Sequence, residues 1–361
     1  MELIRPLGHA GLIQDLWRAA AAGRLGHALL FEGPQGIGKF VAARWFAQGL
    51  LCQRGPLSGL GAQEPCGVCP GCKKLASGGY MGNHPDCLVI DRAAELADGA
   101  DGGPGLSVAH VAARSGDEGG STPPLEEFLN LKPSEGPLRL VLLREAERLN
   151  EAAQNALLKT LEEPALGTFL VLETAQPQEL LTTLRSRTLR VRFGPLSAEE
   201  FAGWARTRPE FQNGLPASAF GLAGGAPGLL LSYLSRGGPA QVELWLAALS
   251  GSNPGTQAFL GAEGETEAST ELGRRRERAA LSLEVLASLL RDVWLLGIGA
   301  EGAGALVHRE RREQLEALAG RWPATRAAGL LLGTGELLGD LGSNLDPEAT
   351  LERALARLQV A

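Results

Sequence analysis

Four cysteines stand at metal-ligand spacing in LLCQRGPLSGLGAQEPCGVCPGCKKL: Cys52, then Cys66, Cys69 and Cys72. The two overlapping Cys-x-x-Cys steps bring three thiolates round one point, and Cys52 reaches it across a Gly/Pro-rich loop. Zinc prefers four thiolates in a tetrahedron, and a filled set leaves no position for water, so the spacing predicts one structural zinc per chain. Unliganded thiols at this spacing would be an oxidation liability. Cys87 lies inside an apolar run and reads instead as a small buried hydrophobe.

The second chemical signature is FEGPQGIGKF, residues 31–40. Gly33, Gly38 and Lys39 sit where a phosphate-binding loop needs them, with an apolar run before and a helix pattern after. Backbone N–H groups at that helix start, helped by Lys39, suit a phosphate. Phe40 takes the place of the hydroxyl that would hold magnesium. The other half of such a site is an acidic pair ending an apolar strand. Here LRLVLL runs into Arg144-Glu145-Ala146-Glu147, with a cation where a magnesium-binding Asp belongs. Glu145 and Glu147 are the nearby carboxylates left to hold magnesium. These two defects in one site predict a chain that does not hydrolyse ATP, with nucleotide binding left open. A third signature is Ser186-Arg187, which closes a Leu/Thr-rich turn before a strand pattern. An isolated arginine there reads by itself as a solvated charge or a local ion pair.

The elements that must carry these residues alternate in the first half. HALLFE (27–32), DCLVID (86–91), LRLVLL (138–143), TFLVLE (168–173) and TLRVRF (188–193) read as short buried strands. Helical patterns separate them, which implies a mostly parallel sheet covered on both faces. After the third strand, Asn150 caps a helix whose apolar stripe is Ala153, Ala156, Leu157 and Leu161, ending at Glu162-Glu163-Pro164. Residues 93–125 are rich in Gly, Ala, Ser and Asp and read mostly as a mobile surface insertion. Beyond Phe193 only helix patterns appear. Ser197 with Glu200 forms a capping box, a glycine turn feeds an apolar helix within 221–234, and Asp346-Pro347 opens the last helix.

Bulk properties agree with a globular chain. Its 361 residues are 44% hydrophobic and 21% charged, enough for two or three domains. No apolar run of about 18 residues predicts a membrane span. The N-terminus lacks the pattern of a secretory signal, so the cytoplasm is the expected location. A net charge of -7 opposes non-specific nucleic-acid binding by the whole surface.

GHALLFEGPQGIGK, the four-cysteine insert, NHPDCLVI, LREAERLNEAAQNALLKTLEEP and FLVLETAQPQELLTTLRSRT occur in the order found in the AAA+ clamp-loader family of bacterial DNA polymerase III. This chain resembles that family over most of its length, and specifically its subunit type that does not hydrolyse ATP. The resemblance implies an AAA+ α/β core over 1–194, carrying the zinc module at about 50–75 and the insertion at about 93–125. A helical lid over 195–235 and an all-helical collar over 236–361 would follow. It implies a pentameric ring with gamma/tau-type and delta-type subunits, which loads a sliding clamp onto primer–template DNA using ATP. Arg187, within Ser186-Arg187-Thr188, would be the arginine supplied to a neighbour's ATP. Thr188 replaces the family's Cys in that motif. Thr174 would be the sensor threonine. Substituting Arg190 is then expected to do little.

Two other readings use the same residues. In one, the chain is an active motor subunit of the loader or a related AAA+ switch protein, and Phe40 with Arg144 speaks against it. In the other, it is a zinc-dependent nucleic-acid-binding module. That calls for basic and aromatic residues round the cysteines, where only Arg54, Lys73 and Lys74 are close.

Overall fold

A computed structural model describes residues 5–59, 64–77, 83–91, 106–111, 124–212, 214–261, 268–300, 306–342 and 345–359. The chain forms two compact units, Met1–Glu200 and Phe201–Ala361. In the first, the elements run α1 (Ala10–Ala21), β1 (Ala28–Glu32), α2 (Lys39–Leu51), α3 (Pro70–Ala76), β2 (Cys87–Ile90), α4 (Val108–Val111) and α5 (Leu125–Asn130). Then follow β3 (Arg139–Leu143), α6 (Glu151–Glu162), β4 (Thr168–Thr174), α7 (Thr182–Ser186) and β5 (Leu189–Arg192).

The strands form one sheet in the order β2-β3-β4-β1-β5, with every neighbouring pair parallel. Each predicted strand is present, its ends within one residue of the expected bounds. β1 and β3 are buried along their whole length. A parallel strand covered on both faces has no solvent side, so these segments show no alternation of apolar and polar residues. Leu30, Val141, Leu143, Leu170 and Leu172 face Leu157, Leu161 and Leu184 on one side. On the other, Phe31 meets Phe46 of α2 at 6.4 Å between ring centroids. Trp17 ties α1 to α2 by donating from Nε1 to the Phe46 carbonyl at 3.0 Å. β5 lies at the sheet edge, with only Val191 buried.

Asn150 caps α6 as expected, its Oδ1 accepting from the Ala153 N–H at 2.8 Å. The insertion is packed where it is described. Leu106 is fully buried and pairs with Leu149, and Val111 joins the same core. At Leu106 and Val111 the chain is therefore core, not surface. Apart from 106–111, 124 and 125, the reading of 93–125 as mostly mobile surface falls outside the described residues.

α8 (Ala198–Arg206) opens on the predicted capping box, with Glu200 N–H donating to Ser197 Oγ at 3.2 Å and Ser197 N–H to Glu200 Oε2 at 2.9 Å. The second unit contains α9 (Ala219–Ala223), α10 (Pro227–Ser235), α11 (Gly238–Leu249), α12 (Thr256–Leu260), α13 (Ala268–Gly297), α14 (Arg312–Arg321), α15 (Ala324–Gly342) and α16 (Pro347–Gln359). Asp346 caps α16 through the Ala349 N–H at 2.9 Å. The core gathers on α13, where the buried Trp245 donates from Nε1 to the Ser282 carbonyl at 2.7 Å. Among the described residues no helix is long and apolar enough to cross a membrane.

Candidate functional site

In open parallel sheets, ligand sites form beyond the carboxyl ends of the strands. The glycine loop lies there, between β1 and α2. Gly33 and Gly38 take φ values of 154° and 99°. A Cβ on Gly33 would lie 2.3 Å from the Phe193 carbonyl oxygen, so the tight approach requires glycine. Lys39 does not project into solvent. Its side chain is 2% exposed, and Nζ donates to the carbonyls of Gly33 at 2.8 Å and Pro34 at 2.9 Å. Its third contact is Glu173 Oε1 at 3.3 Å.

Phe40 is buried where the hydroxyl would be, and the Arg144 guanidinium lies 5.7 Å from its ring centroid. Strand register explains the rest. Ile90 pairs with Leu143, and Leu143 with Leu172, so the next residues, Asp91, Arg144 and Glu173, form one row across three strand ends. Arg144 Nη1 contacts Asp91 Oδ2 at 2.9 Å and Nε lies 3.9 Å from Glu173 Oε2. Burial pushes the Glu173 carboxyl up. Lys39 and Arg144 oppose that rise and Glu147 adds to it. Thr174 is fully buried, its Oγ1 accepting from the Gln176 N–H at 3.0 Å.

Glu145 pairs with Arg148, and Glu147 Oε1 accepts from the Ala175 N–H at 3.2 Å. Among the described residues, only the four cysteines converge closely enough to hold an ion. The sequence-based view of Glu145 and Glu147 as the only nearby carboxylates is therefore corrected, because Asp91 and Glu173 are nearer the arginine. The signal was present: both predicted strands, DCLVID and TFLVLE, end in a carboxylate. Their meeting with Arg144 depends on strand order and register.

The cysteine cluster brings together the four predicted residues. All four sulfurs lie within 4.8 Å of one another, and the Cys52 and Cys69 sulfurs are 3.8 Å apart. Bonds of about 2.3 Å to a tetrahedral zinc place sulfurs about 3.8 Å apart, so the donor set fits that ion. Three backbone N–H groups point at sulfur. Cys66 N donates to Cys52 Sγ at 3.3 Å, Cys69 N to Cys66 Sγ at 3.4 Å and Cys72 N to Cys69 Sγ at 3.5 Å. Burial pushes the Cys52 and Cys72 thiols up. At Cys66 burial acts the same way, but the N–H groups of Val68 and Cys69 outweigh it and hold the thiol at about 6. Cys87 is separate, in β2, and burial pushes its thiol up to about 12.

Arg187 follows the last residue of α7. Its side chain is 37% exposed and pairs through Nη2 with Glu162 Oε1 at 2.6 Å. Nη1 donates to the Thr183 carbonyl at 3.0 Å. Ser186 Oγ donates to that same carbonyl at 3.0 Å. Arg190 is paired within the chain. Its Nη2 lies 2.7 Å from Glu32 Oε2, and Arg192 Nε lies 2.9 Å from Glu32 Oε1. Two guanidinium groups thus hold one carboxylate at the end of β1, a contact that parallel pairing of β1 with β5 creates.

A family profile described as DNA polymerase III, delta subunit, matches residues 8–197, more than half of the chain. The chain is 35% identical over 181 residues to DNA polymerase III subunit delta' of Bacillus subtilis, covering 50% of this chain and 46% of that one. It is 34% identical over 218 residues to subunit delta' of Pseudomonas aeruginosa, covering 58% of each. It is 31% identical over 194 residues to subunit tau of Escherichia coli, covering 54% of this chain and 26% of that one. The matches thus span from about a quarter to somewhat over half the length of these relatives.

Proposed function

The chain belongs to the DNA polymerase III delta-subunit family, and from that membership we propose that it is the non-hydrolysing, delta'-type subunit of a clamp loader. The observation that carries this reading is the site at the strand ends. Phe40 occupies the hydroxyl position, and Arg144, bound to Asp91, occupies the acidic one. A magnesium ion brought there would find no hydroxyl, and the carboxylates within reach are already paired with Lys39 and Arg144, so the phosphate charge that magnesium neutralises would stay uncompensated. The motor-subunit alternative would have to draw its metal ligands from carboxylates already engaged: Asp91 with Arg144, Glu173 with Lys39, Glu145 with Arg148 and Glu147 with the Ala175 N–H.

In this reading the chain acts on a neighbour's ATP through Arg187. A guanidinium stays protonated and offers a rigid fork of donors, which suits it to charge gathering on γ-phosphate oxygens. Arg187 rests on Glu162, at 37% and 52% side-chain exposure. Such a pair is worth at most about 1 kcal/mol. An arginine finger is worth roughly 10³ to 10⁵ in rate, so releasing the pair is a small cost. Ser186 and Thr183 steady the turn that carries it. Residues 195–235 would form the lid and 236–361 the collar. The collar would hold gamma/tau-type and delta-type subunits in a pentameric ring that places a sliding clamp on primer–template DNA in the cytoplasm. The four cysteines would hold one structural zinc.

The test is a loader reconstituted from all its subunits with Arg187→Ala in this chain. ATP turnover at the site facing Arg187 is expected to fall by roughly 10³ or more, and clamp loading with it, while the ring still assembles. The control is Arg18→Ala, an arginine of α1 that is 71% exposed and, among the described residues, paired with Asp15. Full loading and full DNA-stimulated ATPase with Arg187→Ala would return Arg187 to a surface charge. Steady ATP turnover by the isolated chain would overturn the non-hydrolysing assignment.

A further inference from the structure

The glycine loop keeps its backbone geometry and its lysine, yet that lysine is already occupied. An ammonium offers three donors. Those of Lys39 meet the Gly33 carbonyl, the Pro34 carbonyl and Glu173. Glu173 reaches the loop from the neighbouring strand β4, where it pairs with Phe31 in register. Its side chain is 12% exposed, and its Oε2 takes no hydrogen bond among the described residues. A carboxylate placed for stability has its lone pairs satisfied, since a buried Lys–Glu pair gains little over apolar packing. The charges acting on Glu173 are Lys39, Arg144 and Glu147, and Arg144 also holds Asp91, so within this cluster two cations face three carboxylates. In the cluster immediately round the Lys39 ammonium, carboxylates thus outnumber cations by one.

We propose that Glu173 is a built-in counter-ion that stands in for a phosphate, and that the loop is a latent polyphosphate site closed by it. The carboxylate neutralises Lys39 from within the chain and repels an incoming triphosphate. Without the Glu173 charge, two cations face two carboxylates, the Lys39 ammonium regains a free donor direction, and the loop accepts a polyphosphate without magnesium. The lost hydroxyl at Phe40 then does not matter, because no metal is required. This goes beyond the non-hydrolysing assignment, which is silent on whether nucleotide binds.

Calorimetric titration of the full chain in EDTA, with inorganic tripolyphosphate and separately with ATP, tests it. The wild type is expected to bind neither at millimolar concentration. Glu173→Gln keeps the size of the side chain and is expected to bind tripolyphosphate at least about tenfold more tightly than the wild type, since one nearby negative charge is gone. Adding Lys39→Ala should abolish that gain. Glu173→Asp keeps the charge and should behave as the wild type. If the Gln variant fails to fold, as judged by thermal unfolding, Glu173→Leu replaces it with the same expectation. Equal binding by the wild type and the uncharged variants, whether tight or absent, overturns the proposal. Tight ATP binding by the wild type without turnover removes this inference and leaves the non-hydrolysing assignment standing. Gain for ATP but not for tripolyphosphate also overturns it, because the gain would then reside in the nucleoside.

Discussion

Glu32 shows how one residue's environment sets its partners' roles. It ends β1 with its side chain 7% exposed, and Arg190 and Arg192 both reach it from β5. Burial works to raise its carboxyl, and the two guanidinium groups more than offset that, holding it below the usual carboxylate range. Removing one partner leaves a buried carboxylate half compensated. Arg190→Ala is therefore expected to destabilise the chain by about 1–2 kcal/mol in urea denaturation at pH 7, toward the low end for a hydrogen bond to a charged group because the guanidinium is 41% exposed and screened by solvent. The pH dependence has a definite sign. The folded carboxyl titrates lower than the unfolded one, so its stabilising contribution is complete above the unfolded carboxylate range, near pH 4.3. It is lost as pH falls through the lower folded value, and the gap between wild type and variant should close there. An Arg190→Ala chain as stable as the wild type at pH 7 would show that Glu32 is already served by Arg192 alone.

At the scale of the element, the cysteine loop is a segment with little apolar content of its own. From just past the end of α2 through α3 the buried side chains among the described residues are Cys52, Cys69, Cys72 and Leu75, and the sulfurs form a cluster by themselves. Such a loop needs a cross-link to be ordered, and structural zinc can contribute on the order of 10 kcal/mol to local folding. One zinc per chain is the expected result of elemental analysis. Stripping it with a chelator should raise hydrogen exchange across 52–77 while the five strands stay protected. A chain that is folded and metal-free, with four titratable thiols and unchanged exchange in that loop, refutes the assignment.

At the scale of the molecule, the two units rest on separate cores. The sheet core includes Leu30, Val141 and Leu172, and the helical core includes Trp245, Leu286 and Leu289. Trp245 is fully buried against Phe259, with ring centroids 4.4 Å apart, and its indole N–H is satisfied by Ser282. Trp245→Ala removes both packing and a satisfied donor, at an expected cost of about 3–5 kcal/mol. In scanning calorimetry the transition of the helical unit should move down while that of the sheet unit stays in place. A single transition that shifts as a whole would mean that the two cores unfold as one.

Local chemistry made much of this protein legible in its sequence. Short apolar runs marked five strands to within a residue, most plainly β1 and β3, which are buried along their whole length and have no solvent face to interrupt the run. Asn150, Ser197 and Asp346 marked helix starts, since capping acts across three residues. Cys66, Cys69 and Cys72 could be assigned to one point from spacing alone, as could the loss of the hydroxyl at Phe40. Relations between segments distant in the chain needed the tertiary structure. Asp91, Arg144 and Glu173 belong to three strands, and their row exists because β2, β3 and β4 are neighbours in a fixed register. The grip of Arg190 on Glu32 likewise follows from β5 lying beside β1. Strand order and register are settled by the packing of the whole sheet, so whether a charge is a solvated bystander or a buried counter-ion is decided only there.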